Sequence, residues 1–191
     1  MMKTIGIAVY GGSSSQVDSR YLEDARKLGQ GIAQRGWQLV NGSGDTGIMG
    51  ASIRGVLDEN GTYTGIAPDF FQQPGVLFNE GLDTVFTRTM RERKAFMESL
   101  SDAFVTCPGG IGTLEEFYEI LTLKQLGQLH KPLILFNDLG YYDSLLAAME
   151  DMRKAGFIHD SVMDLFEVKN TVEEVLKALD DELKITVHEI V

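Results

Sequence analysis

The chain has 191 residues, 43% of them hydrophobic, which is the size and apolar content of one domain around one core. Its 28 acidic and 17 basic residues give a net charge of −11, which sets the bulk field against duplex DNA or an anionic membrane lying across the surface. A single cysteine, Cys107, excludes an intramolecular disulfide, and the lack of a secretory leader or bilayer-length apolar run points to a reducing cytoplasm.

Residues 4–10 form a short apolar run that ends in Gly11, Gly12 and three serines before a charged, periodic stretch at 19–35: strand, glycine loop, helix. The pattern recurs with a strand at 37–40, a loop at 42–47 and a helix at 48–57, closed by the turn signal Asn60-Gly61. A strand at 63–67 precedes an irregular stretch at 69–82. Then come a brief strand at 84–86, a helix at 89–100, a strand at 103–106, a glycine loop and a helix at 113–126. The chain continues with a strand at 133–136, a helix at 142–154, a short apolar stretch near Phe166 and a helix at 171–183. Residues 185–191 are apolar enough to predict a docked terminal strand. Strands that are continuously apolar and alternate with helices predict a doubly wound, Rossmann-like α/β fold of three layers, one domain over residues 1–191.

In such a sheet the loops that follow the strands share one edge, where ligands bind. Three glycine loops fall there: Gly11-Gly12-Ser13-Ser14-Ser15, Gly42-Ser43-Gly44-Asp45-Thr46-Gly47, and Pro108-Gly109-Gly110-Ile111-Gly112-Thr113. Glycine lets the backbone approach a ligand closely, and the following helix presents partial positive charge, so each loop suits a phosphate, with Ser14 and Gly44 as candidate contacts. The second loop matches G-x-G-x-x-G, with Asp69 spaced to take a ribose hydroxyl, so a dinucleotide-dependent oxidoreductase is one expectation; a plain tight turn is the other.

Charge is distributed unevenly. Residues 1–149 hold 17 acids and 12 bases, residues 150–191 hold 11 and 5, while residues 87–94 hold four bases and one acid. A local reversal of that kind in an acidic chain predicts an anion site around Arg93 and Lys94, against the alternative of a solvated helix face.

The string PGGIGTLEE at 108–116, with MRERK at 90–94 and SDAFV at 101–105, resembles the Lonely Guy family of nucleotide phosphoribohydrolases. The resemblance runs from VYGGSSS at 9–15 through GIMG at 47–50 to KQLGQLHKP at 124–132 and GYYDSLL at 140–146. It implies hydrolysis of the N-glycosidic bond of a purine nucleoside 5′-monophosphate, including N6-prenylated adenosine monophosphates, by a homodimer, with no metal or cofactor. It places the essential arginine and glutamate on Arg93 and Glu116, and substrate contacts on Lys94, Gly109, Gly110, Ile111, Gly112, Thr113, Glu115 and Thr122. An older label for such proteins is possible lysine decarboxylase, but nothing in the sequence independently supports a pyridoxal phosphate site. A non-catalytic carrier or sensor on the same fold, like the related molybdenum-cofactor carriers, is the alternative.

The chemistry suits these residue types. Ribosyl transfer passes through an oxocarbenium-like state that a carboxylate can stabilise, and arginine offers a permanently charged fork for phosphate or carboxylate. Thr113 and Glu116 also fit a capping box, so spacing alone leaves capping open for Glu116. Met90 and Met97, one heptad apart, are expected in the core, with a base pocket as the alternative, and Cys107 is expected as an inert buried thiol. His130, His159 and His188 are scattered without zinc spacing. The chain departs from the family pattern at Arg91, at 41–45 (NGSGD) and over 71–82. Asp45 is expected to face a backbone amide or a ribose hydroxyl.

Overall fold

A computed structural model of the protein describes residues 4–188. Seven strands form one parallel sheet: β1 (Gly6–Tyr10), β2 (Gln38–Asn41), β3 (Thr62–Pro68), β4 (Thr84–Thr87), β5 (Ala103–Thr106), β6 (Leu133–Phe136) and β7 (Glu167–Lys169). Six α-helices join them: α1 (Ser19–Gln34), α2 (Gly47–Asp58), α3 (Met90–Leu100), α4 (Ile111–Gln125), α5 (Asp143–Lys154) and α6 (Val172–His188). The spatial order β4-β3-β2-β1-β5-β6-β7 is that of a doubly wound sheet. The chain winds outward from β1 to β4, then crosses back to lay β5 beside β1 in the register Tyr10↔Thr106. The winding direction therefore reverses between β1 and β5, where the loops after those two strands part and leave a crevice.

The strands are apolar throughout because both faces are covered, and successive side chains feed opposite layers. Ile7 and Val9 of β1 pack with Leu28 and Ile32 of α1, Ile53 of α2 and Leu179 of α6, whereas Ala8 and Tyr10 pack with Met97 of α3, Phe117 of α4 and Met149 of α5. Fully burying such side chains contributes about 1.5–3 kcal/mol each before entropy is charged against it. Helix α1 starts on Asp18, whose carboxylate accepts the Arg20 amide, and stops at Gly36, whose φ of +69° lets Trp37 N–H reach back to the Ile32 carbonyl at 3.2 Å. Gly29 and Gly55 bring α1 and α2 so close that a Cβ on either would strike the backbone of the other helix.

At the C-terminal end one expectation is corrected and one strand is added. Helix α6 continues through His188, so residues 185–188 are helix and not a docked strand; the rest of that stretch lies outside the described residues. Strand β7 sits just past Phe166 and escapes sequence reading because three residues at a sheet edge, Glu-Val-Lys, carry one apolar side chain and no pattern. No described helix is long and apolar enough to cross a membrane.

Candidate active site

The three glycine loops meet as the sequence predicts, and backbone contacts join them. Gly12 N–H donates to the Pro108 carbonyl at 3.0 Å, Ile48 N–H donates to the Gly12 carbonyl at 2.8 Å, and the Thr46 hydroxyl donates to the Ser13 carbonyl at 2.6 Å. A Cβ on Gly12 would lie 3.3 Å from Gly109 Cα, and one on Gly47 would enter the Gly12–Ser13 backbone, so these glycines are needed for loop to touch loop. The second loop is pinned by buried Asn41, whose side-chain oxygen accepts the Ser43 amide at 2.9 Å and whose amide nitrogen donates to the Met49 carbonyl at 3.2 Å.

Helix α3 begins in a capping box. Thr89 accepts the Glu92 amide, and the Glu92 carboxylate accepts the Arg88 amide. One residue further on, Arg93 turns inward: Nε donates to the Ile66 carbonyl of β3 at 3.0 Å, and Nη1 donates to Glu116 Oε1 at 2.7 Å. Both members are buried, at 7% and 8% exposure, yet both line a cleft of about 370 Å³. Burial pushes the Glu116 carboxyl above its usual range, and Arg93 pulls against that rise without cancelling it. Removing one partner of such a pair costs about 3–5 kcal/mol, because the other is left charged and dry. Beyond the pair, Lys94 bridges Glu115 and Glu119 of α4, the latter at 2.9 Å. Burial opposes the Lys94 charge, but the two carboxylates outweigh it and its pKa is raised.

Helix α4 starts at Ile111 with Gly110 as its N-cap, two residues earlier than the sequence suggests, so Thr113 lies within the first turn and caps nothing. The capping reading of Glu116 is thereby corrected: its carboxylate meets Arg93. Gly110 has no side chain to satisfy the first-turn amides, which leaves an anion-binding helix terminus opening into the cleft beside Thr113 and Glu116.

The predicted residues divide in three. Arg93, Glu116, Gly110, Ile111, Gly112, Thr113 and Glu115 line the cleft, while Ser14 and Gly109 line a neighbouring cavity that also includes Gly110. Lys94 is not among the cleft-lining residues; it pairs with Glu115, which is, and with Glu119. Gly44 lies behind Met49 and bridges to Leu77, and Thr122 is exposed further along α4; neither lines the cleft. Two expectations fail for identifiable reasons. Asp45 pairs with Arg54 at 2.6 Å, because α2 brings that arginine back over the loop. Met90 does not join Met97 in the core: α3 begins at Met90, which lies in the cleft wall, 38% exposed, while Met97 is fully buried. Glu115 and Glu119, 52% and 40% exposed at the side chain, are the Lys94 partners. Cys107 is 1% exposed and burial pushes its thiol pKa up, as an inert structural thiol requires.

Sequence reasoning missed the apolar side of the cleft. Met49 and Phe71 stand there with Met90. Met49 lies inside the GIMG motif and was traceable, but Phe71 sits in a short 3₁₀ turn after β3 that no periodicity marks. It also missed Tyr21 and Tyr141, which wall the neighbouring cavity.

Comparison with known proteins agrees with the geometry. A family described as possible lysine decarboxylase matches residues 49–179. Cytokinin riboside 5′-monophosphate phosphoribohydrolases are 34% identical in Rhodococcoides fascians (91% of this chain, 88% of that protein), 38% in Arabidopsis thaliana (92% and 81%) and 33% in Mycobacterium tuberculosis (90% and 91%). Among solved structures, the molybdenum cofactor binding protein of Rippkaea orientalis superposes with a TM-score of 0.72 at 22% identity, covering 95% of this chain and 98% of that one. The molybdenum cofactor carrier protein of Chlamydomonas reinhardtii gives 0.72 at 23% identity, covering 95% and 99%. These structures share the fold; the sequence relatives carry the closer kinship. The chain belongs to the Lonely Guy family, whose sequence signature carries the description possible lysine decarboxylase.

Proposed function

We propose that the protein hydrolyses the N-glycosidic bond of purine nucleoside 5′-monophosphates, releasing the free base and ribose 5-phosphate. The observation that carries this reading is the buried Arg93–Glu116 pair beside an uncapped helix terminus in one cleft. The names of the sequence relatives support it. The phosphate docks on the first-turn amides of α4 and the Thr113 hydroxyl, where the helix dipole favours negative charge. That sets the ribose over Glu116 and the base against Met49, Phe71 and Met90, whose polarizable and aromatic surfaces suit a flat ring. As the glycosidic bond lengthens, the Glu116 carboxylate faces the positive charge growing on the anomeric carbon and holds the attacking water. The hydroxyl of that water ends on the sugar and its proton on the departing base. Arg93 keeps Glu116 ionised and fixed; preorganised charge of this kind is worth about 3–4 kcal/mol of barrier.

We assign Arg93 and Glu116 the catalytic roles and Gly110, Ile111, Gly112, Thr113 and Glu115 substrate contacts, with Lys94 acting through Glu115, while Ser14 and Gly109, expected as contacts from the sequence, line the neighbouring cavity. The protein works as one Rossmann-like domain that pairs into a homodimer in the cytoplasm without metal or cofactor. Exposed Ile111 at the cleft and exposed Phe96 on α3 support the dimer. The test is direct: purified protein is incubated with AMP and with isopentenyladenosine monophosphate, and free base is measured. Release of base is expected. Binding without release from any purine or pyrimidine monophosphate would replace this reading with the carrier.

A further inference from the structure

A second cavity of about 270 Å³ opens beside the reaction cleft and shares with it only Gly12, Ser13 and Gly110. Arg93 and Glu116 are not among its lining residues; its other walls include Val17, Tyr21 of α1, Ile48 of α2, Pro108, and Tyr141 from the segment after β6. Tyr21 and Tyr141 meet edge to face with ring centroids 5.9 Å apart. Among the described residues no acid or base lines it, whereas the cleft next door holds Arg93, Glu115 and Glu116. Its volume is below that of pockets built for whole nucleotides or cofactors, and aromatic and aliphatic walls with polar serines at the rim match a flat, uncharged heterocycle.

One wall is tied to the catalytic loop. The Tyr141 hydroxyl donates to the Gly109 carbonyl at 2.8 Å, and its neighbour Tyr142, fixed by the Asn137 side chain at 2.7 Å, donates to the Cys107 carbonyl at 2.7 Å. The segment that presents both tyrosines turns through two left-handed residues, Gly140 at φ +73°, which glycine adopts freely, and Leu139 at φ +52°, which is held against its backbone preference. A ligand against Tyr141 therefore presses on the loop whose next amides begin α4.

We propose that this cavity is a second site for a neutral planar heterocycle, its ligand the purine base that the reaction releases, and that occupancy is felt in the cleft through the Tyr141–Gly109 contact. Only the choice of base as ligand rests on the proposed reaction. Adenine is titrated calorimetrically into the Glu116→Gln protein saturated with AMP, so that the cleft is already filled. One equivalent of adenine is expected to bind. Val17→Trp, which fills the cavity, and Tyr21→Ala, which removes a wall, should each weaken adenine binding at least tenfold and leave AMP affinity within twofold; the melting temperature of each variant reports its folding. In turnover by the wild type, adenine should act as a mixed inhibitor against AMP, and Val17→Trp should make it purely competitive. Displacement of adenine by AMP, absence of binding, or indifference to Val17→Trp would overturn the second site. Should AMP neither bind nor turn over, the reaction would be wrong, but adenine titration of wild type against Val17→Trp would still decide the cavity.

Discussion

Replacing Gly42 by alanine should disable the cleft without substituting any residue assigned to the chemistry. A Cβ at this position would fall well inside contact distance of Arg93 Nη2, 3.4 Å from its Cζ and 3.0 Å from Met49 Sδ. Restoring ordinary non-bonded separation needs a guanidinium shift of about 1 Å. Arg93 is fastened on its other side to the Ile66 carbonyl at 3.0 Å, so the shift falls on the 2.7 Å contact with Glu116, which then lies beyond hydrogen-bond length. Losing a charge-assisted bond of this kind costs about 1.5–3 kcal/mol. For a protein of this size about 2 kcal/mol is a fall in Tm of roughly 5 °C. A 1 Å misplacement of a catalytic group lowers turnover by about 10²-fold. Base release from AMP, followed by chromatography, and a thermal melt measure the two effects. Gly44→Ala serves as the comparison: its Cβ meets only the flexible end of Met49, and its activity should stay within about threefold of wild type. Equal behaviour of the two alanine variants, both near wild type, would show that Gly42 does not position Arg93.

Three further outcomes are expected. Glu116→Gln keeps shape and an acceptor for Arg93 but removes the charge, so kcat should fall by about 10³-fold while the AMP dissociation constant changes little; a residual kcat within tenfold of wild type would take the reaction away from this carboxylate. Because burial raises the Glu116 pKa, the ionised form is lost as pH falls at a higher pH than for an ordinary carboxylate; the acid limb of kcat against pH should lie above the usual range and vanish in Glu116→Gln. Asp138 is buried with Oδ2 unpaired, and burial raises its pKa to about 6. A carboxyl held above its unfolded value favours the fold when protonated and loses that contribution as pH rises toward 6, so Asp138→Asn should raise Tm more at pH 8 than at pH 4.5; an equal change at both would refute it.

The glycine-loop motifs were legible because their chemistry is local: a run such as Gly109-Gly110-Ile111-Gly112-Thr113 announces a turn into a helix wherever it occurs. Arg93 and Glu116 were identified by family resemblance, since by spacing alone one is a helix-face charge and the other a capping glutamate. That they form one buried ion pair depends on α3 and α4 lying against neighbouring strands. The same dependence explains the misses. Asp45 is claimed by Arg54, two turns into α2, and Met90 is exposed by where α3 begins; neither follows from the periodicity that correctly buried Met97. Phe71 and Tyr141 lie in irregular segments, where side-chain direction has no repeat to read.

By itself the sequence determined the alternation of strand and helix, the parallel sheet and the gathering of glycine loops at one edge, because hydrophobic period and backbone permissiveness act over a few residues. It also set the acidic exterior and the basic patch at residues 87–94. The tertiary structure decided which charges are buried together, which loop glycines serve a ligand and which make room for Arg93, and that a second, uncharged cavity stands beside the first. Those are decided by long-range packing: a pKa, a contact distance or a cavity belongs to groups far apart in the chain, and takes its value only once the sheet has set them side by side.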